Sequence, residues 1–222
     1  MNIFFLDKNP NQSAIYMCDK HVVKMIVESA QMLSTAHRVL DGQPTSIGKK
    51  TINLLNGEII INGEVTNSVC YKMAHANHPC TVWTRENKSN YLMHFKYLLG
   101  LLDEYTYRYN KKHSVEGLVD FLSNAPQNIT DLPATVPPQC MPDQYKISED
   151  VVESYRAFYA AEKFHFSKWT GRKIPFWYFD SLKDNFHMNQ DALEKLFVAS
   201  KKLSADINVI LLAQELIFNE HI

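Results

Sequence analysis

Residues 9–40, NPNQSAIYMCDKHVVKMIVESAQMLSTAHRVL, decide the fold. Asn9 carries a side-chain oxygen suited to a helix N-cap, and Pro10 fits the first helical position. No Gly or further Pro intervenes before Asp41-Gly42 and Pro44, so one helix is predicted from Asn9 to about Leu40. Ile15, Val22, Met25, Ile26, Ala30 and Leu33 make most of its circumference apolar, which predicts a central position in a helical body. His21, Lys24, Glu28, Gln31, Thr35 and Arg38 recur at intervals of three and four and therefore share one stripe. That stripe has two readings. It is a solvated face, with Lys24 and Glu28 forming an i,i+4 pair worth a few tenths of a kcal/mol, or it lines a cleft.

Outward from this helix, residues 50–65 (KTINLLNGEIIINGEV) mix β-branched residues with Asn56-Gly57 and Asn62-Gly63, which predicts a small β-hairpin. Pro79 restarts a helix to about Asn87, and residues 89–113 form a second long helical stretch. Residues 115–122 read as a short helix. Residues 124–146 hold Pro126, Pro133, Pro137, Pro138 and Pro142, a Pro-rich connector expected to run extended against the body. Ser148 is expected to cap a helix reaching Trp169, with further helices over 189–203 and 205–219. The fold class expected is mainly α: a single helical domain over 1–222 with a hairpin excursion at 50–65.

A chain of 222 residues, 45% hydrophobic and 21% charged, can bury a real core, which excludes a disordered tail protein. No apolar run is long enough to span a bilayer and the first residues lack a secretory leader pattern, so a cytoplasmic protein without membrane partners is expected. Cys18, Cys70, Cys80 and Cys140 then read as reduced thiols. Net charge is −1, yet its sign is segregated: residues 85–113 and 155–179 are basic, while 114–154 and 180–222 are acidic. Such segregation suits a localised phosphate-binding surface as well as ordinary surface ion pairs. With seven glycines and no phosphate-loop or dinucleotide motif, nucleotide-driven chemistry is excluded and no cofactor is expected.

Two further clusters carry polar chemistry. His75-Ala76-Asn77-His78-Pro79-Cys80, followed by Trp83 and Arg85, precedes a helix start, where unpaired N–H groups favour an anion. Asn77 or His78 would cap that helix, and simple capping over a buried Trp83 is the plainer reading. Cys18-x-x-His21 and His75-x-x-His78-x-Cys80 offer metal ligands, but neither matches a finger or ribbon spacing, and no metal is expected. Residues 155–178 interleave Arg156, Lys163, Lys168, Arg172 and Lys173 with nine aromatics, including Trp169 and Trp177. Unstacked bases and a phosphate backbone ask for that combination, although about half of these aromatics are expected in the core.

Three stretches together resemble a known family: Cys18-Asp-Lys-His-Val-Val-Lys-Met25 running on through Glu28, Gln31 and His37-Arg38; Asn77-His78-Pro79 with Trp83; and Met141-Pro-Asp143 with Tyr155-Arg156, Lys163, Trp169, Arg172, Pro175 and Trp177. They resemble bacteriophage-encoded proteins that are distantly similar to pyrimidine-dimer DNA glycosylases. The resemblance implies a compact helical enzyme that attacks C1′ of a damaged or modified pyrimidine nucleotide in double-stranded DNA with an amine. A Schiff base then forms and the strand is cleaved, as in a DNA glycosylase/abasic-site lyase. On this resemblance Glu28 takes the place of the catalytic glutamate. Characterised relatives use the α-amine exposed after Met removal at a small second residue, whereas Asn2 keeps Met1 in place, so the Met1 amine serves, or Lys24 does, or the chemistry differs. His21 would help lower the basicity of Lys24, giving Glu28, Lys24 and His21 as the catalytic set. Gln31, Arg38, Asn77, His78, Trp83, Arg156, Lys163, Trp169 and Arg172 would bind nucleic acid, a tryptophan filling the gap left by a flipped nucleotide. The alternatives are another DNA or nucleotide base-modifying enzyme on a related scaffold, and a non-enzymatic accessory protein that binds a host factor.

Overall fold

The computed structural model describes residues 1–178, 180 and 181. The helices expected over 189–203 and 205–219 lie outside the described residues. The chain is mainly α, with two small antiparallel strand pairs. The described residues gather into two compact units, one of 1–3 with 23–140, the other of 4–22 with 141–178, 180 and 181. Among the described residues, no helix is long and apolar enough to cross a membrane.

The predicted first helix is two. Helix α1 is Pro10–Tyr16, capped by the Asn9 side chain on the N–H groups of Asn11 and Gln12. Helix α2 is Asp19–Leu40. The break falls at Met17, whose ψ of 142° is extended. Its cause is tertiary: the Tyr159 hydroxyl accepts the Cys18 N–H at 3.0 Å, and the Asp19 N–H donates to the Lys168 carbonyl at 2.8 Å. Both Met17 and Cys18 are fully buried there. In the same unit, helix α6 (Val151–Lys163) is capped by Asp150 rather than Ser148. Ser148 instead bonds the Asp150 N–H and exchanges hydrogen bonds with Ser154. The helix also stops six residues short of Trp169, giving way to a 3-10 turn at Phe164–Phe166.

In the other unit, α3 (Pro79–Glu86) and α4 (Lys88–Tyr109) meet at Asn87, whose side chain accepts the Asn90 N–H to start α4. Asn110, in the left-handed region at φ 49°, ends it. Met25, Ile26, Ala30, Leu33 and Ala36 of α2 are buried, as are Trp83 of α3 and Tyr91, Tyr97, Leu98 and Leu101 of α4. A 3-10 turn at Ser114–Leu118 leads into the short helix α5, Val119–Leu122.

Where one hairpin was predicted, two form. Strand β1 (Gln43–Ile47) pairs with β2 (Lys50–Leu54) around Gly48, and β3 (Ile59–Ile61) pairs with β4 (Glu64–Thr66) around Asn62-Gly63. Asn62 and Gly63 both take positive φ, 52° and 80°, the requirement of a tight hairpin turn. Asn56-Gly57 is the turn linking the two pairs, with the Glu58 N–H donating to the Leu55 carbonyl. Gly42 is required where α2 passes into β1, since a side chain there would run into the Arg38 carbonyl and Asn53.

Residues 125–140 of the Pro-rich connector form no helix or strand and are pinned to α2, α3 and α4. Asp41 accepts the N–H groups of Gln127 and Asn128. Lys88 donates its N–H to Thr130, Ser89 its hydroxyl to Leu132, and Asn90 and Trp83 hold Thr135. This course delivers Cys140 to the chain terminus, where the Asn2 side-chain amide donates to its carbonyl at 2.9 Å.

Candidate active site

The site grows from Glu28, whose side chain is 16% exposed on α2. One turn earlier, Lys24 Nζ lies 3.5 Å from Glu28 Oε1, the i,i+4 pair that the spacing predicted. On its other side, the Met1 α-amine lies 3.9 Å from Glu28 Oε2. The Asn2 N–H donates to the same oxygen at 3.4 Å. The two amines differ in how they are held. The Met1 side chain is 4% exposed and Ile3 is fully buried, so the terminus is anchored by packing and by the Asn2–Cys140 bond. The Lys24 side chain is 64% exposed.

Facing this pair electrostatically is the turn that precedes α3. Thr35 Oγ1 both accepts the Ala74 N–H and donates within reach of the Ala74 carbonyl, tying the turn to α2. Arg85 donates to the Ala76 carbonyl from α3. His78 is the helix cap, its Nδ1 accepting the Cys80 N–H at 3.2 Å. Burial holds the His78 imidazole below the usual histidine range; the Met1 terminal charge and His75 push the same way, and Glu28 opposes them. Asn77 is exposed beside it. One ring nitrogen of His78 and the sulfurs of Cys80 and Cys140 all lie within 4.8 Å of one another, so these three could hold a metal ion.

Gln31 is half-buried, one turn beyond Glu28 on α2. Arg38 is 4% exposed and is spent internally: its guanidinium forks onto Glu58 with two 2.9 Å bonds and donates to the carbonyls of Asn53, Cys70 and Tyr71. Trp83 is buried, its Nε1–H donating to the Thr135 carbonyl, the plainer of its two readings.

His21, Arg156, Lys163, Trp169 and Arg172 belong to the second unit. His21 is buried, stacked on Phe4 at 4.7 Å, with Nδ1 2.9 Å from the Tyr159 hydroxyl. Burial raises the Cys18 thiol and the Tyr159 phenol above their usual ranges, and the Tyr159 hydroxyl lies 3.2 Å from Cys18 Sγ, so Cys18 and His21 share one buried partner. Arg156 donates to the Leu6 carbonyl and lies 5.2 Å over Trp177. Lys163 lies 4.6 Å over the Phe158 ring. Trp169 is buried with its Nε1–H on the Tyr16 carbonyl. Arg172 is half-buried. Of the nine aromatics in this stretch, Tyr155, Phe158, Tyr159, Trp169, Trp177 and Tyr178 are core, and Phe176 is the exposed one.

Sequence reasoning missed Asn2 and Cys140. Neither has a spacing signal, because their meeting depends on the course of the connector.

A family model described as pyrimidine dimer DNA glycosylase matches residues 1–117. No curated protein and no solved structure matches the chain. The matched segment contains Met1, Asn2, Lys24, Glu28 and His78, and it spans more than half of the sequence. The chain therefore belongs to the pyrimidine dimer DNA glycosylase family.

Proposed function

We propose that this protein removes a damaged or modified pyrimidine from double-stranded DNA and then cleaves the abasic strand, with the Met1 α-amine as nucleophile and Glu28 as charge stabiliser and proton shuttle. The observation that carries this reading is the 3.9 Å approach of the amine to Glu28 Oε2 within the family-matched segment. The amine lone pair forms an N–C1′ bond while the C1′–base bond breaks, its electrons leaving with the base. Glu28 balances the positive charge developing on the sugar and accepts the proton that the amine loses. Opening of the C1′–O4′ bond gives the Schiff base. Loss of a C2′ proton then expels the 3′ phosphate, and water hydrolyses the imine to regenerate the amine.

Positioning favours Met1 over Lys24, because attack needs an amine held at the reacting carbon. The terminus is positioned by packing and two hydrogen bonds, whereas an exposed lysine surrenders rotamer freedom on being fixed. Lys24 and Asn77, both exposed, are assigned to the DNA backbone, and Gln31 and His78 to the rim of the nucleotide site. Arg38 and Trp83 are left out because their donors are used inside the fold.

Borohydride trapping tests the reading, using duplexes that carry an abasic site, a thymine dimer, uracil or hydroxymethylated pyrimidines. A covalent adduct mapped by mass spectrometry to the N-terminal peptide, retained in Lys24→Ala and lost on acetylation of the α-amine, is expected. An adduct on Lys24, or none on any duplex, overturns it.

A further inference from the structure

We propose that His78, Cys80 and Cys140 bind a zinc ion that ties the connector to the start of α3. The sulfurs of Cys80 and Cys140 are 3.5 Å apart, and all three donor atoms fall within 4.8 Å of one another. A tetrahedral zinc with Zn–S near 2.3 Å and Zn–N near 2.0 Å sets its sulfurs about 3.8 Å apart and sulfur to nitrogen about 3.5 Å. The three donors therefore close on one ion with small side-chain movements. A disulfide would need the same sulfurs at about 2.05 Å.

The chemistry of the donor set points the same way. Two thiolates and a neutral imidazole are soft and borderline ligands that select zinc over magnesium or calcium. Two thiolates also cancel the charge of the ion at a half-buried site. A neutral imidazole has one lone pair, which here accepts the Cys80 N–H at 3.2 Å. Whichever ring nitrogen takes the metal, that one long bond is exchanged for coordination. Three protein ligands leave a fourth position for solvent, the pattern of open zinc sites.

The expected absence of a metal followed from spacing, and spacing could not show Cys140, sixty residues from its partner. The ion would fix Cys140, whose carbonyl holds Asn2, whose own N–H reaches Glu28. Zinc is thus placed as a positioning device for the proposed nucleophile; this consequence rests on the proposed function, while zinc binding itself does not.

The test uses the untagged full chain purified without chelator under reducing conditions. Metal content by plasma mass spectrometry is expected at one zinc per chain, falling to background in Cys80→Ser/Cys140→Ser. Because that variant can misfold, metal-free wild type is also titrated with Co2+, which should give thiolate-to-cobalt charge-transfer absorption and protect two thiols from alkylation. Metal-free protein whose thiols stay reactive with zinc present, or a Cys80–Cys140 disulfide found by mass, overturns the proposal. Zinc-loaded protein that traps no DNA refutes the lyase reading alone, and metal-free protein that traps DNA as well as the zinc-loaded form refutes the positioning role alone.

Discussion

Replacing Glu58 with alanine should cost about 4 kcal/mol of stability, and the structure shows why. The Glu58 side chain is fully buried and Arg38 is 5% exposed. Arg38 meets both carboxylate oxygens at 2.9 Å, and the carboxylate also accepts from the Leu55 N–H, the Val69 N–H and the Ser68 hydroxyl. Burial works to raise the Glu58 carboxyl, but the Arg38 hydrogen bonds, the Leu55 N–H and the Arg38 charge outweigh it and hold it below the usual range. Glu58 is therefore a buried carboxylate that several donors share. Removing one partner of such a pair costs about 3–5 kcal/mol. The carbonyls of Asn53, Cys70 and Tyr71 still receive Arg38, which lowers the figure, while two N–H groups lose their acceptor at about 1 kcal/mol each. For a chain of this size, about 4 kcal/mol lowers the melting temperature by roughly 8–16 °C. Thermal and urea melts followed by circular dichroism measure it. Arg38→Leu/Glu58→Leu should recover most of the loss, because both charges leave together. A fall of less than about 3 °C in Glu58→Ala would refute the account.

Acid should weaken the fold through His94, which is fully buried with Nδ1 2.8 Å from Thr84 Oγ1 and is pushed down to about 3. The unfolded histidine titrates near about 6.5, so below that pH the unfolded state binds the proton first and stability declines towards pH 3. Between pH 6.5 and 5 wild type should lose about 1.6 kcal/mol more than His94→Leu, read from urea melts at the two pH values. Asn2→Leu removes the bond to the Cys140 carbonyl while keeping a large residue that protects Met1 from removal. Imine trapping should fall by about three- to tenfold with a melting temperature within about 3 °C of wild type. Asp41→Ala deletes the acceptor for Gln127 and Asn128, and limited proteolysis should then nick residues 124–140 about tenfold faster.

The parts of the fold legible in the sequence were those fixed locally. Asn9-Pro10 and His78-Pro79 mark helix starts because capping and proline geometry act within three residues, and Asn62-Gly63 marks a turn because both residues tolerate positive φ. The break at Met17 was hidden because the next N–H, that of Cys18, is taken by the Tyr159 hydroxyl, contributed by α6. The strand pair at Gln43–Leu54 was hidden by Pro44, which reads as a breaker yet is tolerated on an edge strand. Within the site, helical spacing placed Lys24 beside Glu28. The same spacing put Arg38 on that stripe, but its charge is claimed by Glu58, twenty residues on, in the turn between hairpins. A polar stripe on a helix states which residues share a face and leaves open what covers each turn of it.

The α-amine that lies 3.9 Å from Glu28 Oε2 is part of the main chain. A saturation scan of point substitutions would pass over it, because every residue placed at the first position still carries an α-amine. If the proposed mechanism holds, the signal of such a scan gathers instead on the neighbours that hold the terminus in place, Asn2 and Glu28, and a reader of that map would credit them with the share of an atom no codon can delete. Only chemistry on the backbone itself, acylation or an added residue ahead of Met1, would expose its share.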